Sequence, residues 1–223
     1  MGEEEMILLV RNRAAPPSLL MRVARDRRWV RSHHIKKALV RHGRTPVSVA
    51  VVCLPHLYWK DLADIAEDAR IASAVRRQAE QVLRGRLGEM TQGERITLAR
   101  RASRGVIAAL RESAEARVLR ALLGNTRLVE QDATQIAQSQ NAPREVLAFL
   151  ADHPAWGGQY GIRLSLLGNP RTPVPVALRL MERLAPQDLH RLARDARVPK
   201  IVRVGADRCL RARSSLAGSG NRG

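Results

Sequence analysis

The heptapeptide Arg44-Thr45-Pro46-Val47-Ser48-Val49-Ala50 returns as Arg171-Thr172-Pro173-Val174-Pro175-Val176-Ala177, with six of its seven positions identical. The match extends well past it. Residues 6–83 align without a gap to residues 133–210 at a constant offset of 127, and about 24 of the 78 pairs are identical. Pro16 falls on Pro143, Trp29 on Trp156, Ile35 on Ile162 and Leu39 on Leu166. Further on, Leu57, Asp61, Leu62, Asp68, Arg70, Val75, Ala79 and Leu83 meet identical residues. A tandem duplication of this kind points to a repeat architecture, in which each copy builds the same elements and packs on its neighbours. A shorter period lies inside it. Leu122-Leu123-Gly124-Asn125 returns 44 residues later as Leu166-Leu167-Gly168-Asn169, followed each time by a turn and another helix. Units of roughly 40–47 residues with two or three helices match a known spacing of stacked helical repeats.

The composition suits helix-on-helix packing. Hydrophobic residues make up 45% of the chain and aromatics only 3%, so Leu, Ala and Val form the core, whereas a β-sandwich would call for more aromatic and β-branched residues. The apolar periodicity predicts helices at about 4–12, 16–26, 29–40, 46–57, 60–68 and 72–83 in the first copy. Helices at about 92–102, 104–111 and 114–123 follow. The second copy repeats the pattern at 130–139, 143–152, 156–167, 173–184, 186–194 and 199–211. Thr45-Pro46 and Thr172-Pro173 read as an N-cap followed by proline in the first turn. Thr91 and Glu94 fit a capping box. The one β-branched run, Val47–Leu54, begins with Pro46 and matches the better helix former Val174–Met181, so it too reads as helix. The expected fold is an all-α, right-handed α-solenoid. Two similar lobes, 1–83 and 132–211, are joined by a helical connector at 84–131, and 212–223 form a disordered tail rich in Ser, Gly and Arg.

The run Gly168-Asn169-Pro170-Arg171-Thr172-Pro173, followed by an aliphatic helix, resembles the leucine-rich-variant and HEAT-like repeats of bacterial α-solenoids. So does the Leu-Ala-Arg-Asp…Val-Pro…Val-Arg pattern of Leu192–Arg203. The resemblance covers most of the chain and implies an architecture shared by proteins of many activities. Some leucine-rich-variant proteins carry an N-terminal iron–sulfur cluster, which needs four clustered cysteines. This chain has only Cys53 and Cys209, so no cofactor is expected.

Those two thiols lie far apart in sequence and form no disulfide framework, as in an intracellular protein. No apolar run approaches the roughly 20 residues of a membrane span. The acidic start, Gly2-Glu3-Glu4-Glu5, is unlike a signal peptide, and position six lacks the Ser or Thr of a myristoylation motif. No phosphate-binding loop, nucleophile elbow or HExxH motif appears. The duplicated aspartates, Asp61/Asp188 and Asp68/Asp195, read as caps of backbone N–H groups near helix starts, because a role kept in both copies is structural. The six histidines have no histidine at the matched position and no metal spacing. Trp29 and Trp156 read as wedges between helices. Tyr58-Trp59 meets Ala185-Pro186 in the second copy, which makes that pair a candidate partner contact.

Charge is the informative asymmetry. The formal net charge is +18. Between Val10 and Arg44 stand eleven Arg and Lys against one acid, Asp26, while 121–189 carries six of each sign. Such clustering is the electrostatic footprint of a nucleic-acid binder. The leading expectation is a non-enzymatic scaffold in the bacterial cytoplasm that holds a protein partner on its concave face, an inference from fold alone. The alternative is nucleic-acid binding through Arg11, Arg13, Arg22, Arg25, Arg27, Arg28, Arg31, Lys36 and Lys37. A remote third reading is a HEAT-like DNA glycosylase, with Trp59 and Asp61 cast in its working roles and Asp61 lining a basic cleft.

Overall fold

The computed structural model describes residues 2–219. Among them are fifteen α-helices, one short 3-10 turn and no strand. In chain order the helices are α1 (Glu3–Arg11), α2 (Pro17–Arg25), α3 (His33–Arg41), α4 (Val47–Cys53), α5 (Trp59–Glu67), α6 (Ser73–Arg86), α7 (Gln92–Ala99) and α8 (Arg104–Leu110). There follow α9 (Ala116–Leu123), α10 (Glu130–Gln138), α11 (Arg144–Ala151), α12 (Tyr160–Gly168), α13 (Val174–Met181), α14 (Pro186–Arg194) and α15 (Lys200–Ser219). The chain divides into two compact units, Met1–Ala109 and Leu110–Gly223. Of the stretch between the two copies, α7 falls in the first unit and α9 in the second.

Identical apolar pairs of the duplication lie in the core. Leu20 and Leu147, Ile35 and Ile162, Leu39 and Leu166, Leu62 and Leu189, and Ala79 and Ala206 are all buried. Each leucine or isoleucine withdrawn from water contributes about 1.5–3 kcal/mol, which makes these positions the least free to change.

What joins the helices is equally regular. Just past the end of a helix, the side chain of one residue accepts a hydrogen bond from the N–H two residues on. Asn12, Asp26, His42 and Asp68 do this in the first unit. Ser139, His153, Asn169 and Asp195 do it at the matched positions of the second, and Asn125 does it after α9. The carbonyl of each also accepts from the N–H three residues on. The turn is thus closed twice, and a short polar side chain replaces backbone partners lost at the helix end.

Three local expectations are corrected by these turns. Asp68 and Asp195 close helix ends and do not start helices; each also takes a forked hydrogen bond from the arginine two residues on. Thr45 and Thr172 are not N-caps, because Pro46 and Pro173 occupy that position. The Thr172 hydroxyl instead donates back to the Leu166 carbonyl. Trp29 and Trp156 lie in turns before α3 and α12, not inside those helices. Both are half-buried, and the Trp156 indole N–H donates to the Leu123 carbonyl at 3.0 Å. The expected capping box is present: Thr91 Oγ1 accepts from the Glu94 N–H, and Glu94 accepts from the Thr91 N–H at 2.9 Å.

The segment 212–223, expected as a disordered tail, is helical as far as Ser219, and the last four residues lie outside the described ones. The duplication explains it. Arg84 matches Arg211 and Arg86 matches Arg213, so the repeat runs past residue 210. Arg86 donates to the carbonyls of Leu57 and Pro55. Arg213 donates to those of Leu184, Glu182 and Met181. In both copies the last long helix is pinned to the carbonyls left open where an earlier helix ends.

Candidate functional site

In the first unit the end of α1, the outer face of α3 and the turns after α3 and α5 enclose a groove of about 780 Å³. Its charged walls are Arg11, Arg13, Lys37, Arg41, Arg44 and Arg70, with Asp68 the one carboxylate and His42 between them. Lys37 and Arg41 share a helix face because they stand four residues apart. The post-helix turns at Asn12, His42 and Asp68 bring the remaining arginines to the same place.

The cations differ in how they are held. Arg70 and Arg41 reach Asp68 at 2.8 and 3.5 Å. The hydrogen bonds from Arg70, ahead of its charge, hold the Asp68 carboxyl well below the usual carboxylate range. Arg44 donates to the Ala14 carbonyl, as Arg171 does to that of Gln140. His42 Nε2 faces the Asn12 carbonyl at 3.0 Å while Nδ1 accepts from the Arg44 N–H, an arrangement suited to the neutral tautomer with hydrogen on Nε2. Asn169 does the same work in the second copy with its amide NH2 and its oxygen. Arg11 and Arg13 are exposed and have no ion-pair partner among the described residues.

Behind the groove, Asp61 is buried to 7% exposure in the first turn of α5. One of its oxygens meets Lys37 Nζ at 2.6 Å and the other meets His33 Nε2 at 2.7 Å. Burial pushes its carboxyl up, but the hydrogen bonds and charges of Lys37 and His33 outweigh burial and leave it below the ordinary value. Tyr58 packs its ring on His33 with centroids 4.1 Å apart. In the second copy Tyr160 replaces His33, and its hydroxyl donates to Asp188, the counterpart of Asp61.

The second unit has a groove at the matched place, about 400 Å³ in volume. Gln138, Gln140, Leu164 and Gly168 stand where Arg11, Arg13, Lys37 and Arg41 stand in the first. Arg191 is the one cation lining it, against Asp188 and Asp195. Several of its polar groups are already bonded: Gln138 donates to Ser165, Asp188 accepts from Tyr160, and Asp195 binds Arg197.

Of the nine basic residues singled out by sequence, Arg11, Arg13 and Lys37 line the first groove. Arg22 and Arg25 are exposed on α2, and Arg27, Arg28 and Arg31 are exposed in the link from α2 to α3. Of these, Arg28 is paired with Asp26 at 2.7 Å. Lys36 is half-buried on α3 beside Cys53. Tyr58 is 67% exposed. Trp59 is half-buried, and its indole N–H donates to Glu94 at 2.9 Å. Asp61 is not among the residues lining the groove. Sequence reasoning missed Arg41, Arg44 and Arg70 as members of the site. The departure of Arg41 from Gly168 at the matched position was the signal available for the first of them. Among the described residues no group of His, Cys, Asp and Glu could hold a metal ion, and no helix is long and apolar enough to cross a membrane. No protein-family model, curated protein or solved structure matches the chain.

Proposed function

We propose that the first unit binds nucleic acid by its phosphate backbone, in the groove lined by Arg11, Arg13, Lys37 and Arg41. The observation that carries this reading is the internal comparison. The second copy keeps the helices, the turns and the groove, and has none of these four cations. They are therefore dispensable to the fold, and their convergence in one groove calls for an anionic ligand. A groove with this excess of positive charge raises the local concentration of polyanions and steers their approach. Its lining includes no Trp, Tyr or Phe, so recognition runs through phosphates and not through stacked bases, and it is indifferent to sequence.

The role is binding, not catalysis. For a glycosylase-like use of Asp61, both of its oxygens are already engaged by His33 and Lys37. The protein-scaffold reading rests on Tyr58 alone, since Trp59 is bonded within the chain. The HEAT-like solenoid stays a proposal about architecture, supported by the repeated helices and turns. Binding of the full chain to labelled duplex and single-stranded DNA and RNA, measured across a salt series, tests the function. The expected result is an affinity whose logarithm falls linearly with that of salt, by about 0.9 per phosphate contacted on duplex and about 0.7 on single strands. Absence of binding at low salt sinks the proposal.

A further inference from the structure

Asp61 is retained in both copies, yet only in the first does it grip a cation of the groove. Its carboxylate holds Lys37 Nζ at 2.6 Å and His33 Nε2 at 2.7 Å. We propose that Asp61 is a built-in counter-anion that competes with bound phosphate for Lys37, and that protonation of His33 relieves the competition, so that the groove grips nucleic acid more tightly in acid. The inference rests on the groove being the phosphate site.

Nε2 of His33 already carries the hydrogen it donates to the ionised Asp61, so the incoming proton adds to Nδ1. The imidazolium then forms a full ion pair with Asp61. With neutral His33, the single charge of Asp61 is matched by Lys37 alone. With charged His33 it is divided between two cations, and the wall gains one net positive charge. Lys37 is the cation that faces the groove, so it is the one a phosphate can take over.

The other charged or titratable groups around His33 come from each packed element. Tyr58 lies against the ring, and His34 on the same helix meets it edge-on at 5.9 Å. Glu3 of α1 accepts from the hydroxyl of neighbouring Ser32 at 2.6 Å. Cys53 of α4, its thiol pushed up by burial, lies beside Lys36. Asp61 is the anion that touches the His33 ring. His42, also in the groove, is engaged by the Asn12 carbonyl and the Arg44 N–H, a turn-closing role that Asn169 fills in the second copy.

The second copy supplies variants already compatible with the fold. Binding of an oligonucleotide by the full chain is measured at about pH 8 and about pH 5.5, a span that brackets ordinary imidazole titration. The wild type tightens by about two- to fivefold, the scale of one partly exposed ion pair. His33→Tyr, which keeps the bond to Asp61 as Tyr160 does with Asp188, loses that increment. His42→Asn keeps it. Asp61→Asn binds more tightly than wild type at the higher pH. A wild type that binds through Arg11 and Arg13 but equally at both pH values overturns this inference and leaves the groove reading standing. Full retention of the increment in His33→Tyr overturns it as well. No binding at either pH overturns both.

Discussion

The two grooves share their turns and differ in their charge. In each, a polar residue closes the end of the first helix, another closes the third, and an aspartate forked by arginine closes the fifth. Six cations stand in the first groove and one in the second. A chain that builds the same frame twice contains its own control. Whatever both copies keep serves the frame, which is how Arg44, Asp68 and Arg70, and the turn-closing role that His42 shares with Asn169, are assigned despite lying in the basic groove. Whatever one copy alone carries is free to serve a ligand. That leaves Arg11, Arg13, Lys37 and Arg41.

The sharpest way to break this comparison is to make the grooves alike. The combined change Arg11→Gln, Arg13→Gln, Lys37→Leu and Arg41→Gln should lower nucleic-acid affinity at low salt by about a thousandfold. It should also flatten the salt slope by about three, read by fluorescence anisotropy. Circular dichroism should stay unchanged, and unaltered affinity would detach function from the groove. The reciprocal graft places Arg at 138, 140 and 168 and Lys at 164 in that neutralised background. It should restore at least about tenfold of the loss through the second unit. Gly168 admits the change because a Cβ there meets nothing within 4 Å.

Stability sharpens the comparison from the other side. Gly157 occupies the place of Val30, yet a Cβ on Gly157 would lie 2.2 Å from the Ala151 carbonyl oxygen. Gly157→Ala should cost about 2–3 kcal/mol in chemical denaturation, the scale of overpacking, whereas Val30→Ala at an exposed site should cost under about 0.5 kcal/mol. Arg86→Ala and Arg213→Ala should each cost about 1–2 kcal/mol, since each strands backbone carbonyls, and unequal losses would show that the matched anchors do unequal work. The smallest effect is acid sensitivity. Asp68 and Asp195 sit below the ordinary carboxylate value in the folded chain, first because of the side-chain hydrogen bonds from Arg70 and Arg197. Their contribution is therefore complete above about pH 4 and is lost as pH falls through the folded-state values. Asp68→Asn and Asp195→Asn should each reduce the dependence of melting temperature on pH below about pH 4 and leave it unchanged at pH 7.

Much of the frame is legible in the sequence. Apolar periodicity located every helix, and identity between the copies picked out Ile35, Leu39 and Leu62 as core, because burial leaves those positions least freedom. The turns were misread for a physical reason. Asn, Asp, His and Ser each offer an acceptor at a similar reach, so one job was written in four letters, and of the four matched pairs only Asp68 and Asp195 are identical. The tail was misread because Ser, Gly and Arg look disordered by composition, while the carbonyls that Arg213 satisfies lie about 30 residues back. The groove was half-legible. The charge count reached the right segment, but Arg22 and Arg11 look equivalent in a string, and only the packing of α1 against α3 separates them.

The doubly closed turn that follows so many of the helices has a consequence for how such a chain changes over time. Where such a turn sets the end of a helix, exposed residues on that helix, such as Arg11 and its counterpart Gln138, are free of that task. Mutations there are tried against ligands without being tried against stability. A protein assembled from such joints can acquire, exchange or discard a binding specificity in one copy while the other preserves a working pattern of the scaffold.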